Sequence, residues 1–448
     1  MDWREGRVNL GVPDTDAGVH QYGTVVVMDH EPKDHACCRG ARVTPRKDDL
    51  TQQNGGDHAY QIYFPPTGTF SGMEPFTIRV ADSDLDDLDQ RLVRTRLGSP
   101  PAGEPWESGV DYSYLEELIS YWRNGYDWRR EETRLNTFPQ FRPDVGDQHV
   151  HFVHVLADKD RYPDPIPIIL SHGWPYSFIE MLLLVPLLTD PLAHGGTELD
   201  AFDVVVPSLP GFGFSDPLAE GPFTSERVAE VWHELMTDTL GYRSYATYGE
   251  DVGTGISDFL AASYPDAVIG LFATHAAFPP EERKQDLSSA EDEFISWLDE
   301  KWNTGRGYAH IQGTRPDTLA VGLNDSPAGL LAWLVEKFRE WSGPEFEQSW
   351  TRDDLLTTTS LYWLTRSIGT SFLPYYDGKQ ETPIPIVTVP VGVSVQWGER
   401  GFPREYAERT YTDIRMWKDL PQGGHFTAKQ TPDLVAADMR AFFRMLRH

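Results

Sequence analysis

The sequence predicts an α/β fold in which a mostly parallel sheet is covered by helices on both faces. Residues 161–278 alternate short apolar runs, typical of buried strands, with segments of helical period. Residues 279–380 interrupt this alternation with helical segments, and residues 381–448 resume it. We therefore predict a core in two parts, 161–278 and 381–448, with a helical cap at 279–380 between them.

The chain before residue 161 divides into two parts of different character. Residues 1–72 are rich in Gly, Asp, Pro and Gln without a sustained period, so we expect a disordered leader or a start placed too early, with Met73 as the genuine start. Residues 73–160 contain a predicted strand at 75–80, leucines at helical spacing and an aromatic-rich stretch. We interpret 73–160 as a meander that wraps the core.

Hydrophobic periodicity places the remaining elements. A strand is predicted where a short apolar or alternating run occurs, and a helix where apolar residues recur every three or four positions. The predicted strands are residues 150–155, 166–170, 202–207, 244–248, 268–274, 387–395 and 414–417. The predicted helices are residues 178–188, 225–240, 254–264, 328–341, 355–368 and 432–446. Thr224 or Ser225 is expected to cap the helix at 225–240.

Charge and composition narrow the class of partner. The chain has 448 residues, of which 40% are hydrophobic, so it is long enough to bury a sizeable core. The excess of 69 acidic over 39 basic side chains gives a formal net charge of -30, which repels phosphate backbones and anionic lipid surfaces. We predict neither a nucleic acid partner nor a membrane partner.

Cysteine and histidine usage bears on metals and on location. Cys37 and Cys38 are the only cysteines, too few for a disulfide framework or a Cys-based zinc site, which indicates a reducing compartment. His151 and His154 stand at an odd offset in a predicted strand and so face opposite sides, and we predict no metal site there. With neither a secretory signal nor a membrane-spanning run in the pattern, the expected location is cytoplasmic.

The most informative segment is the turn from the predicted strand at 244–248 into the following helix. A nucleophile on a sharp strand-to-helix turn needs small residues two positions before and after it, because the backbone is strained and packed there. Gly249 and Gly253 provide this spacing around Asp251, whereas Glu250 would have large residues at both positions. We predict that Asp251 is the nucleophile of an α/β-hydrolase; the alternative is that it only caps the helix.

A carboxylate nucleophile requires further groups. It forms an ester that an activated water must hydrolyse, and a neutral histidine is the usual base near pH 7. His425 follows a predicted strand and precedes the last helix, which is the chain order this fold requires; the alternative is a surface-loop histidine. The oxyanion needs N–H donors, which we assign to Trp174 and Val252, with His172 in a structural role.

With these pieces placed, the sequence resembles the epoxide hydrolases of the microsomal type, including relatives from bacterial natural-product pathways. The resemblance runs from about Met73 to Arg447 and includes Trp122. Its other motifs are the segments 126–129 (YDWR), 135–141 (LNTFPQF), 172–175 (HGWP), 207–215 (PSLPGFGFS), 307–312 (GYAHIQ), 323–327 (LNDSP) and 423–426 (GGHF). The resemblance implies an α/β-hydrolase core with a helical cap, a small-molecule epoxide substrate, no metal and no organic cofactor, and it allows a homodimer.

The resemblance also implies roles for single residues. Asp251 would attack an epoxide carbon while two cap tyrosines donate hydrogen bonds to the leaving oxygen. We assign the first role to Tyr308 and the second to Tyr375, and Tyr376 is the alternative to Tyr375. Tyr376 and Trp174 are also expected to bind substrate. His425 would be oriented by a carboxylate, which the family's spacing places at Glu399, with Glu405 or Glu408 as alternatives.

Two departures from the family pattern affect the reaction expected. The family's turn usually reads Gly-Asp-Trp-Gly, whereas this chain has Glu250 before the nucleophile and Val252 after it. A second carboxylate beside Asp251 either raises the pKa of the nucleophile or points away. The pair Leu373 and Pro374 also stands where relatives usually have an arginine near the second tyrosine.

These departures keep four functional hypotheses open. The first is hydrolysis of a bulky, largely apolar epoxide, such as a natural-product intermediate, to a vicinal diol. The second is epoxide opening by a nucleophile other than water, and the third is haloalkane dehalogenation through the same aspartyl ester. The fourth is a binding protein without catalysis, which the presence of both Asp251 and His425 disfavours.

Overall fold

A computed structural model describes residues 73–99, 103–303 and 305–447, all of which fall within one compact unit, Gln61–His448. The leader expected at residues 1–72 lies outside the described residues. Within the described part of the chain, no helix is both long enough and apolar enough to cross a bilayer.

The central sheet has eight strands in the order β1-β4-β6-β5-β7-β8-β9-β10. The pairs from β6 to β10 are parallel, while β1 and β4 add antiparallel pairs at one edge, which confirms the predicted mostly parallel sheet. A separate hairpin pairs β2 with β3. The strands are β1 (Gln140–Phe141), β2 (Asp144–Val145), β3 (Gln148–His149), β4 (Phe152–Val155), β5 (Ile166–Ser171), β6 (Phe202–Pro207), β7 (Tyr245–Gly249), β8 (Val268–Ala273), β9 (Val391–Val395) and β10 (Ile414–Asp419).

The N-terminal segment packs three helices and one extended stretch against this sheet. The helices are α1 (Asp82–Val93), α2 (Tyr112–Asn124) and α3 (Trp128–Leu135). The strand predicted at residues 75–80 was wrong, since only Pro75 makes a bridge, to Phe141. Farther along, the N–H of Ile78 bonds the side chain of Asn136, and the N–H of Val80 bonds that of Glu132. Side chains thus take the hydrogen bonds that a neighbouring strand would take.

The helices that cover the first part of the core are interrupted at positions where the sequence predicted continuous helices. They are α4 (Phe178–Met181), α5 (Leu184–Thr189), α6 (Ser225–Glu234) and α7 (Val252–Ser263), and a π-helical turn, Leu235–Thr239, extends α6. The single helix predicted at 178–188 splits because Pro186 has no N–H to donate to the carbonyl four residues earlier. Thr224 caps α6, accepting from the N–H of Arg227 at 3.4 Å.

Among the described residues, seven α-helices lie between β8 and β9, where the cap was predicted. They are α8 (Ser289–Asn303), α9 (Gly307–Thr314), α10 (Pro316–Asp325), α11 (Pro327–Ser342), α12 (Phe346–Ser349), α13 (Arg352–Thr365) and α14 (Leu373–Asp377). The core then continues with α15 (Arg404–Glu408), α16 (Thr427–Gln430) and α17 (Pro432–Arg444). The carboxyl ends of the parallel strands, where loops can carry reactive side chains, therefore lie beneath a layer of helices.

The core also encloses histidines that are kept neutral. His151 bonds Ser208 and Gln140 through its two ring nitrogens, and the Nε2 atom of His154 bonds the hydroxyl of Tyr242. Burial lowers the pKa of His151, His154 and His275 to about 3 and that of His172 to about 4. Each of these rings is therefore neutral at physiological pH.

Acid should destabilise this fold through its buried histidines. Below pH 6.5 the unfolded chain binds a proton at each of them while the folded chain does not, so stability is lost as the pH falls towards about 3. Each contributes about 1.4 kcal/mol per pH unit. Buried Asp258 and Glu399, whose pKa values are raised to about 7, act in the opposite direction between their ordinary pKa and pH 7, because the folded state retains their protons.

A single substitution isolates one histidine's part of this dependence. In His151→Gln, the free energy of unfolding in denaturant should depend on pH less steeply than in the wild type, by about 1.4 kcal/mol per pH unit between pH 6 and pH 4. The carboxyl contributions are common to both proteins and cancel in the comparison. Equal slopes for the two proteins would contradict the prediction.

Candidate active site

Asp251 lies in the turn between β7 and α7, with φ 54° and ψ -119°. A Cβ atom on Gly249 would lie 1.9 Å from the carbonyl oxygen of Gly253, and one on Gly253 would lie 2.2 Å from that of Ser171. Neither position can hold a larger residue without moving the backbone, which gives the predicted glycine spacing its physical cause. A left-handed conformation at a residue other than glycine is strained and concentrates at functional sites.

The side chain of Asp251 does not cap α7. Its Oδ1 atom accepts a hydrogen bond from the N–H of Trp174 at 2.9 Å, and its Oδ2 atom lies 3.4 Å from Nε2 of His425. Burial opposes ionisation of Asp251, but His425 and the N–H groups of Trp174 and Val252 outweigh burial and hold the pKa of Asp251 below its ordinary value. The carboxylate is therefore ionised at neutral pH, and its Oδ1 atom is anchored by the N–H of Trp174.

His425 lies immediately before α16, against the cap. Its backbone N–H donates to the carbonyl of Trp341 at 2.9 Å. The rings of His425 and Trp341 meet edge to face with centroids 5.1 Å apart. The imidazole thus lies between the nucleophile and the C-terminal end of α11. The structure brings together the two residues that the sequence assigned as nucleophile and base.

Glu399 ends a 3-10 turn, Trp397–Glu399, just beyond β9. It is buried, and burial raises its pKa to about 7, while the positive charge of His425 acts against that rise. No direct hydrogen bond joins Glu399 to His425 among the described residues, and the Oε2 atom of Glu399 has no partner there. The alternative acids Glu405 and Glu408 are exposed on α15, where they bond Ser288 and Arg404. Of the three carboxylates, Glu399 alone is buried, and His425 lowers the pKa of Glu399 electrostatically.

The two cap tyrosines pack against Trp174, whose N–H bonds the nucleophile. Tyr308, on α9, stacks on the ring of Trp174 with centroids 5.4 Å apart and 7° between the planes. Tyr375, on α14, contacts Trp174 and Tyr308 edge to face at 5.8 and 5.7 Å. Burial raises the pKa of both phenols, and the charge of Asp251 raises both further. Both hydroxyls therefore remain protonated and available as donors at neutral pH.

Tyr376, which we had expected to bind substrate, is placed elsewhere. Its ring is 38% exposed and carries the ammonium group of Lys379 4.2 Å from its centroid. Neighbouring residues on a helix project about 100° apart, so Tyr375 and Tyr376 cannot both face Trp174. Tyr376 therefore does not share the position of Tyr375 against Trp174, and its substrate-binding role stays a prediction.

Glu250 points away from the nucleophile into a buried polar cluster. Its Oε1 atom accepts hydrogen bonds from the hydroxyls of Tyr248 and Thr427 and, at 2.7 Å, from the N–H of Ala428. Burial raises the pKa of Glu250, whereas that of Asp251 is lowered. The sequence left open whether Glu250 raises the pKa of Asp251 or points away from it. The side chain of Glu250 points away.

Two residues of the site were missed at the sequence level. Trp341, near the end of α11, contacts Trp174, Tyr308 and His425. His275 follows β8 and bonds the backbone of Asp251. Its position after a parallel strand was a usable signal, because side chains at the carboxyl ends of such strands converge. Trp341 gave no local signal, since it continues the apolar period of a long helix.

No group of three or more His, Cys, Asp or Glu side chains in the described ranges is arranged to hold a metal ion. His172 is buried in a structural setting, where its ring nitrogens bond the carbonyl of Gly173 and the N–H of Leu209. The polar groups that surround Asp251 are thus backbone N–H groups, an imidazole and two phenols. This set of groups suits nucleophilic attack by a carboxylate, stabilisation of an oxyanion and proton transfer.

Two protein families match the chain, one described as Epoxide hydrolase N terminus over residues 73–181 and one as alpha/beta hydrolase fold over residues 166–426. A Stigmatella aurantiaca protein named "Putative epoxide hydrolase" is 40% identical over 395 residues, covering 84% of this chain and 86% of the relative. Epoxide hydrolase 1 of Sus scrofa is 32% identical, covering 85% and 91%. The solved structure of Aspergillus niger epoxide hydrolase has 30% identity and a TM-score of 0.71, covering 84% of this chain and 97% of that one.

Proposed function

Because this chain belongs to the epoxide hydrolase family of the microsomal type, we propose that it opens an epoxide through an ester on Asp251 and hydrolyses that ester to a vicinal diol. The observation that carries the proposal is the unequal setting of the two carboxylate oxygens. Oδ1 accepts the N–H of Trp174 at 2.9 Å, while Oδ2 lies 3.4 Å from Nε2 of His425. A carboxylate with one anchored oxygen is oriented for attack on carbon by the other.

In the first step Oδ2 of Asp251 attacks an epoxide carbon, and the carbon–oxygen bond of the ring breaks. The leaving oxygen gains negative charge and needs donors. Tyr308 and Tyr375 supply them, since both phenols are protonated and lie over Trp174. Proton transfer from the hydroxyls, replaced from solvent, completes the alcohol.

In the second step water attacks the carbonyl carbon of the ester. His425 takes a proton from this water, and Oδ1 becomes the oxyanion of the tetrahedral intermediate. The N–H groups of Trp174 and Val252, which already act on the carboxylate, stabilise that charge. Collapse of the intermediate breaks the bond to the diol oxygen, which takes the proton held by His425. The new carboxyl group of Asp251 loses its proton to solvent, which regenerates the carboxylate.

The walls of the site favour a bulky and largely apolar epoxide, such as a natural-product intermediate. Trp174 is fully buried and contacts Trp341, Phe372 and the two tyrosines. Such aromatic surfaces bind hydrocarbon by burial of apolar area.

Isotope labelling tests the proposal. In a single turnover in 18O-water with excess enzyme, the label should enter the carboxylate of Asp251, detected by mass spectrometry of the peptide that contains it. Over many turnovers the label should pass into the diol. Label in the diol after one turnover, with none in Asp251, would show direct attack of water and rule out the ester.

Product analysis separates the hydrolase from the two other reactions that begin with the same ester. An adduct with a second nucleophile, and no diol, would identify a coupling enzyme. Release of halide from a haloalkane panel would identify a dehalogenase. The proposal requires a diol whose mass exceeds that of the epoxide by one water.

Loss of either phenol should slow ester formation more than ester hydrolysis. Tyr308→Phe and Tyr375→Phe each remove one donor to the leaving oxygen, and we expect each to lower the rate of alkylation by on the order of 100-fold. Stopped-flow fluorescence of the site's tryptophans measures this step. Tyr376→Phe is the matched control, because its ring is exposed and contacts Lys379 rather than Trp174. A loss of the same size in Tyr376→Phe would contradict the assignment.

A further inference from the structure

His275 joins the nucleophile to the base through their main chains. Its Nδ1 atom accepts the N–H of Asp251 at 2.7 Å, and its Nε2 atom lies 3.2 Å from the carbonyl oxygen of His425. The side chain comes from the end of β8, two residues past the last strand position, and is 6% exposed. One rigid ring therefore spans two segments of chain that are 174 residues apart in sequence.

The two hydrogen bonds define the tautomer and the charge of His275. Because Nδ1 accepts from Asp251, the ring proton is on Nε2, which donates to the carbonyl of His425. Burial and the nearby charge of His425 lower the pKa of His275 to about 3. The rings of His275 and His425 lie 4.8 Å apart. His275 thus stays neutral when His425 becomes positively charged, and it is not itself a proton acceptor in the reaction.

The main chain at both ends of this bridge needs support. Asp251 has a positive φ that an L residue rarely adopts, and its N–H bonds His275, while its Oδ1 atom is held separately by the N–H of Trp174. His425 lies in the segment that leads into α16. The following residues, Thr427 and Ala428, are held independently by Glu250, so the loss of His275 removes one attachment and leaves another.

We propose that His275 is a positioning residue that sets the distance between Asp251 and His425 for hydrolysis of the ester. This inference rests on the two-step reaction proposed above. Formation of the ester requires Asp251 and the cap tyrosines, whereas its hydrolysis requires a water held between Asp251 and His425. A displacement of about 1 Å between the two residues costs on the order of 100-fold in rate, and it should act on the second step.

Three substitutions separate the two bonds of the bridge. Asn carries an oxygen on the same carbon that holds Nδ1 in histidine, so His275→Asn keeps an acceptor for Asp251 and loses the contact with His425. His275→Gln reaches the position of Nε2 and keeps a donor for the carbonyl of His425. His275→Phe fills the same space with neither group. His154→Gln is the matched control. It replaces another buried neutral histidine, which lies in β4 and bonds Tyr242.

The experiment measures ester formation and ester hydrolysis separately, by rapid quench of excess enzyme with a styrene oxide probe. Intact-protein mass follows the ester, and denaturant unfolding follows stability. For His275→Phe we expect hydrolysis to fall by about 10- to 100-fold, with ester formation within about threefold of the wild type, so that the ester accumulates. At least one of the two amide variants should recover part of the lost rate. The control should lose stability without accumulating ester.

The outcomes distinguish this inference from the function on which it rests. If the wild type forms no ester, the proposed reaction fails. If the wild type forms the ester but His275→Phe hydrolyses it at the wild-type rate, the positioning role fails while the reaction stands. The role also fails if both steps slow in parallel with a loss of stability, as in the control, or if neither amide variant is faster than His275→Phe.

Discussion

Asp251→Asn leaves the protein folded and lowers kcat by on the order of 10⁴-fold or more. The substitution removes the charged oxygen that attacks carbon and changes the size of the side chain very little. Asparagine tolerates positive φ better than most residues, so the strained turn at position 251 should survive the change. The amide can still accept the N–H of Trp174 through its oxygen.

The measurement for this variant combines diol formation with intact mass. We expect no diol above background and no covalent adduct with any epoxide tested. Glu250→Gln is the matched control, a neighbouring carboxyl changed in the same way; its amide oxygen can still accept from Thr427 and Ala428. It should retain activity within about tenfold of the wild type. An Asp251→Asn protein that turns over at the wild-type rate would place the nucleophile elsewhere.

His425→Gln should trap the reaction at the ester. The first step needs no base, so one equivalent of epoxide should be consumed per site at a rate near that of the wild type. Hydrolysis without the imidazole should fall by about 10²- to 10⁴-fold. The intact mass of the protein should rise by the mass of the epoxide, and the adduct should map to the peptide that contains Asp251.

A histidine of the cap provides the control for this trapping experiment. His310 is exposed on α9, two residues from Tyr308. His310→Gln should turn over repeatedly and accumulate no adduct. If His425→Gln also turned over repeatedly, another group would have to activate the water, and Glu399 would be the first candidate to test, since its pKa is raised to about 7.

Sequence could anticipate those parts of the site that are specified by a local requirement of the backbone. Gly249 and Gly253 are needed because any Cβ atom there would overlap a carbonyl group, and this requirement marks Asp251 between them. The parallel sheet was predictable for a similar reason, since strands buried on both faces are apolar throughout. These signals are contained in a few consecutive residues.

Features that depend on distant parts of the chain were not predictable in the same way. In the extended residues 75–80, the N–H groups of Ile78 and Val80 bond the side chains of Asn136 and Glu132, which no periodicity reveals. The choice between Tyr375 and Tyr376 depends on the rotation of a five-residue helix against Trp174. The direction of the Glu250 side chain depends on Thr427 and Ala428, which follow it by 177 and 178 positions in the sequence.

The contact of Glu250 with Ala428 spans 178 positions of the chain and has a consequence for synthesis on the ribosome. The nucleophile's turn is translated long before the segment that supplies donors to Glu250. Until that segment emerges, burial of Glu250 would remove its bound water without supplying the hydrogen bonds that replace it, which is unfavourable. We therefore expect an incomplete chain to keep this turn open and solvated, so that Asp251 can react with an epoxide only after Thr427 and Ala428 have emerged.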